Sequence, residues 1–155
     1  NPIPDSALRK WFEKSQLIND KNLDILINLS NGSLGKAIEL INNEECFNVY
    51  SRAKEIITNF KKISKKEIDD FFSLFNSNFL LEDFLLIIQI NIIQNIKKLI
   101  LKKDISKLLI NVYISIFFEI NKRIRNLSSF NLDNSQTLNS IKYIFIKHSE
   151  NLSKL

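Results

Sequence analysis

The residues best placed to do chemistry in this 155-residue sequence are its only two glycines and their neighbours, in Leu29-Ser30-Asn31-Gly32-Ser33-Leu34-Gly35-Lys36-Ala37-Ile38-Glu39-Leu40. Asn31-Gly32 suits a left-handed helix C-cap, because glycine takes a positive φ without a Cβ clash. Ser33 can then cap the next helix by accepting from its orphan N–H groups. The segment reads as helix, sharp turn, helix. Gly35 falls in the first turn of the second helix, where glycine costs about 1 kcal/mol against alanine. A closely packed neighbour or a bound phosphate would account for it.

The other reactive residues do not assemble into a site by spacing. His148 is the only histidine and sits among Lys147, Ser149 and Glu150, with no cysteine near it in sequence. Asp69-Asp70 and Glu82-Asp83 fall in helical sequence, where adjacent side chains diverge by about 100° and cannot converge on one substrate atom. Cys46 near a helix start reads as a packing residue without a histidine to orient it. A lone cysteine also excludes an internal disulfide and cannot build a four-ligand zinc site. No Gly-x-x-x-x-Gly-Lys-Ser/Thr loop is present, so this chain alone is not expected to hydrolyse nucleotide. The reading is therefore no enzyme, with no catalytic residue, cofactor or metal assigned.

A net charge of +5 and a pI near 9.3 raise the question of nucleic acid. The candidates are Lys61-Lys62, Lys65-Lys66, Lys97-Lys98, Lys102-Lys103 and Lys122 to Arg125. They are scattered, poor in arginine and not interleaved with aromatics, which argues against base readout. With 45% hydrophobic and 25% charged residues the chain buries a real core. Two Pro and two Gly leave little material for β-turns, and apolar residues recur at three- and four-residue spacing. An all-α protein is expected. The chain lacks Met, which suggests a piece cut from something longer. The single cysteine and the absence of a secretory pattern suggest a reducing cytoplasm. The stretch from Phe79 to Leu101 is apolar, but Glu82, Asp83, Gln89, Asn91, Gln94, Asn95, Lys97 and Lys98 interrupt it, so a buried helix is expected rather than a membrane span.

Helices must position these residues. Asp5 to Lys14 carries Leu8, Trp11 and Phe12, whose aromatic end is expected to face inward. Asp20 to Ser30 is the second helix and Ser33 to about Asn42 the third. Asn43 caps a fourth from Glu44 to Phe60. Ser64-Lys65-Lys66-Glu67 is a capping box that opens a fifth with Ile68, Phe71, Phe72 and Phe75. Leu80 to Lys103 is apolar nearly all round, which marks a central helix packed on several sides. Asp104 or Ser106 caps a seventh helix to about Asn126, whose basic end, Lys122 to Arg125, suits the helix dipole. Residues Leu127 to Leu132 read as a loop, and Asp133 or Asn134 opens a last helix through His148.

The pattern Leu-Ser-x-Gly-Ser-x-Gly-x-Ala-x-x-Leu, with the upstream Ile3-Pro4 and Trp11-Phe12, resembles the helical lid of the AAA+ fold in bacterial DNA polymerase III clamp loaders. The strong motif covers roughly Leu23 to Leu40, with lid positions Ser30, Gly32, Ser33, Gly35, Lys36 and Ala37. In the ATP-hydrolysing subunits of that family an arginine, called sensor 2, approaches the nucleotide phosphates from the position that is Gly35 here. Lys36, one residue on, points about 100° away. The resemblance thus implies a non-hydrolysing member. It also implies a three-helix lid over residues 1–43 and a collar of roughly five helices over 44–155, with a nucleotide-fold domain upstream. Asn131-Leu132-Asp133 with Leu138, Ile141 and Ile144 is similar to the closing helix of such a collar. Implied partners are the other loader subunits, delta and gamma/tau, in a hetero-oligomer, with the sliding clamp and primer-template DNA reached indirectly and no membrane.

Three other readings stay open. An ATP-hydrolysing gamma/tau-type subunit shares the architecture but calls for arginine at position 35. A basic all-helical DNA-binding domain explains the charge but not the confined glycines. A helical adaptor unrelated to replication explains the bundle and leaves the Gly-Ser turn as coincidence.

Overall fold

The computed structural model describes residues 2–15, 18, 20–75, 80–101, 107–130 and 133–154, with backbone alone at 20, 21 and 127–130. Among these the chain is all-helical, with eight helices and no strand. They are α1 (Asp5–Ser15), α2 (Asp20–Ser30), α3 (Leu34–Ile41), α4 (Glu44–Thr58), α5 (Lys65–Phe72), α6 (Leu81–Leu101), α7 (Lys107–Phe130) and α8 (Asn134–Ser153). Two compact units result, residues 1–51 and 52–155, divided within α4.

In the first unit α2 packs on both α1 and α3. Leu8 and Phe12 of α1, Leu23, Leu26 and Ile27 of α2, and Ala37 and Leu40 of α3 are buried there, each at the helical spacing that makes one apolar stripe. The expectation that the aromatic end of α1 faces inward holds for Phe12 alone. Trp11 remains 40% exposed and touches Phe12 edge-on at 4.8 Å between ring centroids. Arg9 pairs with Asp24 across α1 and α2, and both side chains are exposed, so solvent screening leaves the pair little weight.

The second unit is organised by rings. Phe71 stacks on Phe84 at 5.3 Å, Phe72 meets Phe145 at 5.4 Å, and Phe145 meets Phe60 at 5.6 Å, which in turn lies 5.8 Å from Tyr113. Edge-to-face and tilted pairs of this kind add roughly 0.5–1.5 kcal/mol each beyond the area they bury. The chain of contacts ties α5, α6, α7, α8 and Phe60, two residues past the end of α4, into one core. Between helices, α6 packs on α7, α7 on α8 and α8 on α5, where Lys142 also meets Asp69 at 3.1 Å.

The helix ends follow their sequence signals where a side chain caps them. Ser64 and Glu67 complete the capping box, and Asp133 accepts from the Ser135 N–H at 3.2 Å. Asn43 accepts from the Cys46 N–H at 3.2 Å. Where no cap intervenes, the expectations miss. Helix α7 runs on through residues 127–130, expected to be loop, while 131 and 132 lie outside the described residues, as do Asp104 and Ser106. Lys122 to Arg125 therefore sit inside α7 and not in its last turn, so the dipole argument for them fails. Helix α8 continues past His148 to Ser153, α4 stops before Phe60, and α5 stops before Phe75.

Helix α6 meets the length and composition of a membrane span, the one such helix among the described residues, and 44% of its apolar stretch is buried within the fold. Leu81, Phe84, Leu85, Ile87, Ile88 and Ile92 are buried, and Gln89 donates to the Asn121 side chain at 3.1 Å. Packing on several sides stops there: no residue from 93 to 101 is buried.

Candidate functional site

The α2–α3 turn is built by two consecutive left-handed residues. Asn31 has φ 47° and Gly32 φ 79°, after which Ser33 returns to extended backbone at φ −97° and ψ 112°. The Ser33 N–H donates to the Ser30 carbonyl at 2.9 Å, closing the turn, and the Ser33 Oγ accepts from the Lys36 N–H at 3.3 Å. The Ser33 carbonyl takes the Ala37 N–H at 3.0 Å. Ser30 is buried and donates its hydroxyl to the Ile27 carbonyl at 3.1 Å. Ala37 is fully buried, which fixes the rotation of α3 about its axis.

The two glycines have different work. At Gly32 a Cβ would stand 2.5 Å from Pro2 Cβ and 2.9 Å from the Ile3 carbonyl oxygen, because the N-terminal segment crosses the turn and the Ile3 N–H donates to the Gly32 carbonyl at 2.8 Å. The close neighbour that the sequence suggests for Gly35 is therefore at Gly32. At Gly35 nothing lies within 4 Å of a built Cβ, so packing does not require glycine there. Lys36 beside it is half-exposed. The structure thus brings Ser30, Gly32, Ser33, Gly35, Lys36 and Ala37 together as one continuous turn and helix start.

The remaining candidates stay apart or are occupied by structure. His148 is half-buried on α8, and its pKa is pushed below the usual range by burial and by Lys147, against the opposing pull of Glu119. Cys46 is 1% exposed. Among the described residues no group of three or more His, Cys, Asp or Glu is placed to hold a metal ion. A shallow groove beside α4 and α5 is lined by Arg52, Glu55, Ile56, Asn59, Ile63 and Glu67. Its charges serve local structure: Arg52 bonds Glu55 at 2.7 Å, and Glu67 accepts from the Ser64 N–H at 2.8 Å and also from the Ser64 hydroxyl. Those two donors hold the Glu67 carboxyl below the usual carboxylate range.

What sequence reasoning could not decide is which apolar side chains of the second unit stay uncovered. Leu101, Leu80, Tyr143 and Phe118 are the most exposed large apolar side chains, from 81% down to 62%. The signal was present in the all-round apolarity of residues 80–103, which cannot be told from full burial without the neighbours. Comparison with protein-family models, curated proteins and solved structures finds no match.

Proposed function

We propose that this chain is the lid and collar region of a DNA polymerase III delta-prime subunit, the non-hydrolysing stator of a bacterial clamp loader. The single observation that carries the reading is the Asn31-Gly32-Ser33-Leu34-Gly35 turn, with glycine at the position where the ATPase subunits hold the sensor 2 arginine. Three features support it: a small unit that bears that turn and holds α1 to α3 with the first part of α4, a larger helical unit after it, and uncovered apolar residues on the larger unit. In this reading residues 1–43 act as lid and 44–155 as collar, and function lies in association with the delta and gamma/tau subunits. The clamp and primer-template DNA are then contacted by the assembly.

The test is light scattering coupled to size-exclusion chromatography, with this chain alone and mixed with the collar fragments of the delta and gamma/tau subunits of the same organism. A stable mixed complex at about 10 μM, where a specific interface of micromolar Kd is well populated, is the expected result. Persistent separation at that concentration overturns the reading and returns the DNA-binding and adaptor readings to the front.

A further inference from the structure

The α6–α7 pair ends in a patch that the core does not use. Two side-chain bonds set the register of the pair, Gln89 to Asn121 and Asn95 to Tyr113. Gln89 lies twelve residues before the end of α6 and Asn121 fourteen after the start of α7, while Asn95 and Tyr113 each lie six from those same ends. The helices are therefore antiparallel and in step, which places Ile100 and Leu101 beside Lys107 and Leu108.

Ile100, Leu101 and Leu108 at this tip are 53%, 81% and 48% exposed. Ile93, Lys97 and Ile100 recur at i, i+4 and i+7, so the apolar strip continues one face of α6 past an exposed lysine. Lys97, Lys98 and Lys107 are all exposed around it. Among the described residues between Asp83 and Glu119 the charged side chains are Lys97, Lys98 and Lys107, with no acid. Lys98, in the last turn of α6, complements that helix's dipole, but Lys107 stands at the start of α7, where the dipole disfavours a cation. Helix stability thus does not explain the positive rim.

We propose that the tip of the α6–α7 pair docks a helix of a partner protein whose apolar stripe is bordered by Asp and Glu. The strip supplies the dry centre of such an interface and the lysines its polar edge. A uniform positive edge favours an acidic partner and repels a basic one, so it selects by charge as well as by shape. An anionic membrane surface shares that charge preference, but segments that settle at a lipid interface characteristically carry Trp or Tyr there. No aromatic residue occurs between Phe84 and Tyr113. The surface stands independently of the clamp-loader reading, which concerns what assembly the partner belongs to.

The experiment uses two synthetic amphipathic helices with the same Leu/Ile stripe, one edged with Glu and the other with Lys. Binding of each to this chain is followed by fluorescence anisotropy, with flotation on phosphatidylcholine/phosphatidylserine vesicles alongside. The expected result is binding of the Glu-edged helix, at least about tenfold weaker binding of the Lys-edged one, and no flotation. Leu101→Ser and, separately, Lys97→Glu with Lys98→Glu should each weaken the Glu-edged complex by at least about tenfold. Circular dichroism melts should stay unchanged, because these side chains are exposed. Equal binding of both helices, binding indifferent to both variants, or flotation without helix binding overturns the proposal. Binding of the Glu-edged helix without assembly of loader subunits sinks the clamp-loader reading alone.

Discussion

The Tyr113 hydroxyl of α7 donates to the Ile57 carbonyl in the last turn of α4, which also takes the Phe60 N–H at 3.4 Å. The ring is 1% exposed and packs against Phe60, so one side chain adds a second bond to a helix end and joins residues 56 apart in sequence.

Tyr113→Phe should therefore cost about 1 kcal/mol, the net worth of one hydrogen bond, read as a lower urea midpoint at constant slope. Burial raises the Tyr113 pKa well above its ordinary value near 10, with Asn95 pulling weakly the other way. A raised folded pKa gives stability that is complete below pH 10 and lost as pH climbs toward the folded value. The wild-type chain should lose stability above about pH 10 more steeply than Tyr113→Phe. Parallel alkaline profiles would contradict this account.

The two glycines should respond with opposite signs. Gly32→Ala puts a Cβ against Pro2 and the Ile3 carbonyl at φ 79°, and should destabilise by about 1–3 kcal/mol. Gly35→Ala enters open space on a helix and should stabilise by up to about 1 kcal/mol. Thermal unfolding followed by circular dichroism separates the two, and a loss of stability at Gly35→Ala would mean that something packs there.

Glu67 links α5 to acid pH. Its carboxyl is held below the usual range by the Ser64 hydroxyl and N–H, so the stability it contributes is present above about pH 4.3, the unfolded value. That stability is lost as pH falls through the lower folded value. Ser64→Ala removes the hydroxyl donor and should flatten the acid limb of a stability profile below about pH 4.3. An unchanged acid limb in the variant would show that the box does not govern it.

Phe145 touches both Phe60 and Phe72 and is 1% exposed, so Phe145→Ala should cost about 3–5 kcal/mol and unfold the second unit first. Phe118→Ser, at a side chain 62% exposed, should leave the melting temperature within about 3 °C of wild type. Tryptophan fluorescence from Trp11 alongside far-ultraviolet circular dichroism distinguishes unfolding of the second unit from global loss.

Helix existence was legible because the apolar spacing is local: Leu23, Leu26 and Ile27 mark α2, and Ser64 with Glu67 mark the start of α5, without reference to anything distant. The Asn31-Gly32-Ser33 turn was legible for the same reason, since φ preference and capping belong to the residues themselves. Residues 127–130 read as loop because Ser128-Ser129 interrupts the apolar spacing, yet α7 continues through them, and no Gly or Pro stop signal stands there. Which glycine is crowded was not legible, because the crowding comes from Pro2 and Ile3, thirty residues away in sequence. Ile92 and Ile93 look alike as a string. Tertiary structure buried one and left the other exposed, because the buried residues of α6 all lie in its first part and none of residues 93 to 101 is buried. Sequence by itself determined helices, turn and charge, which are properties of neighbouring residues. Only the tertiary structure decided which apolar faces become core and which remain as surface, since that depends on which helices meet.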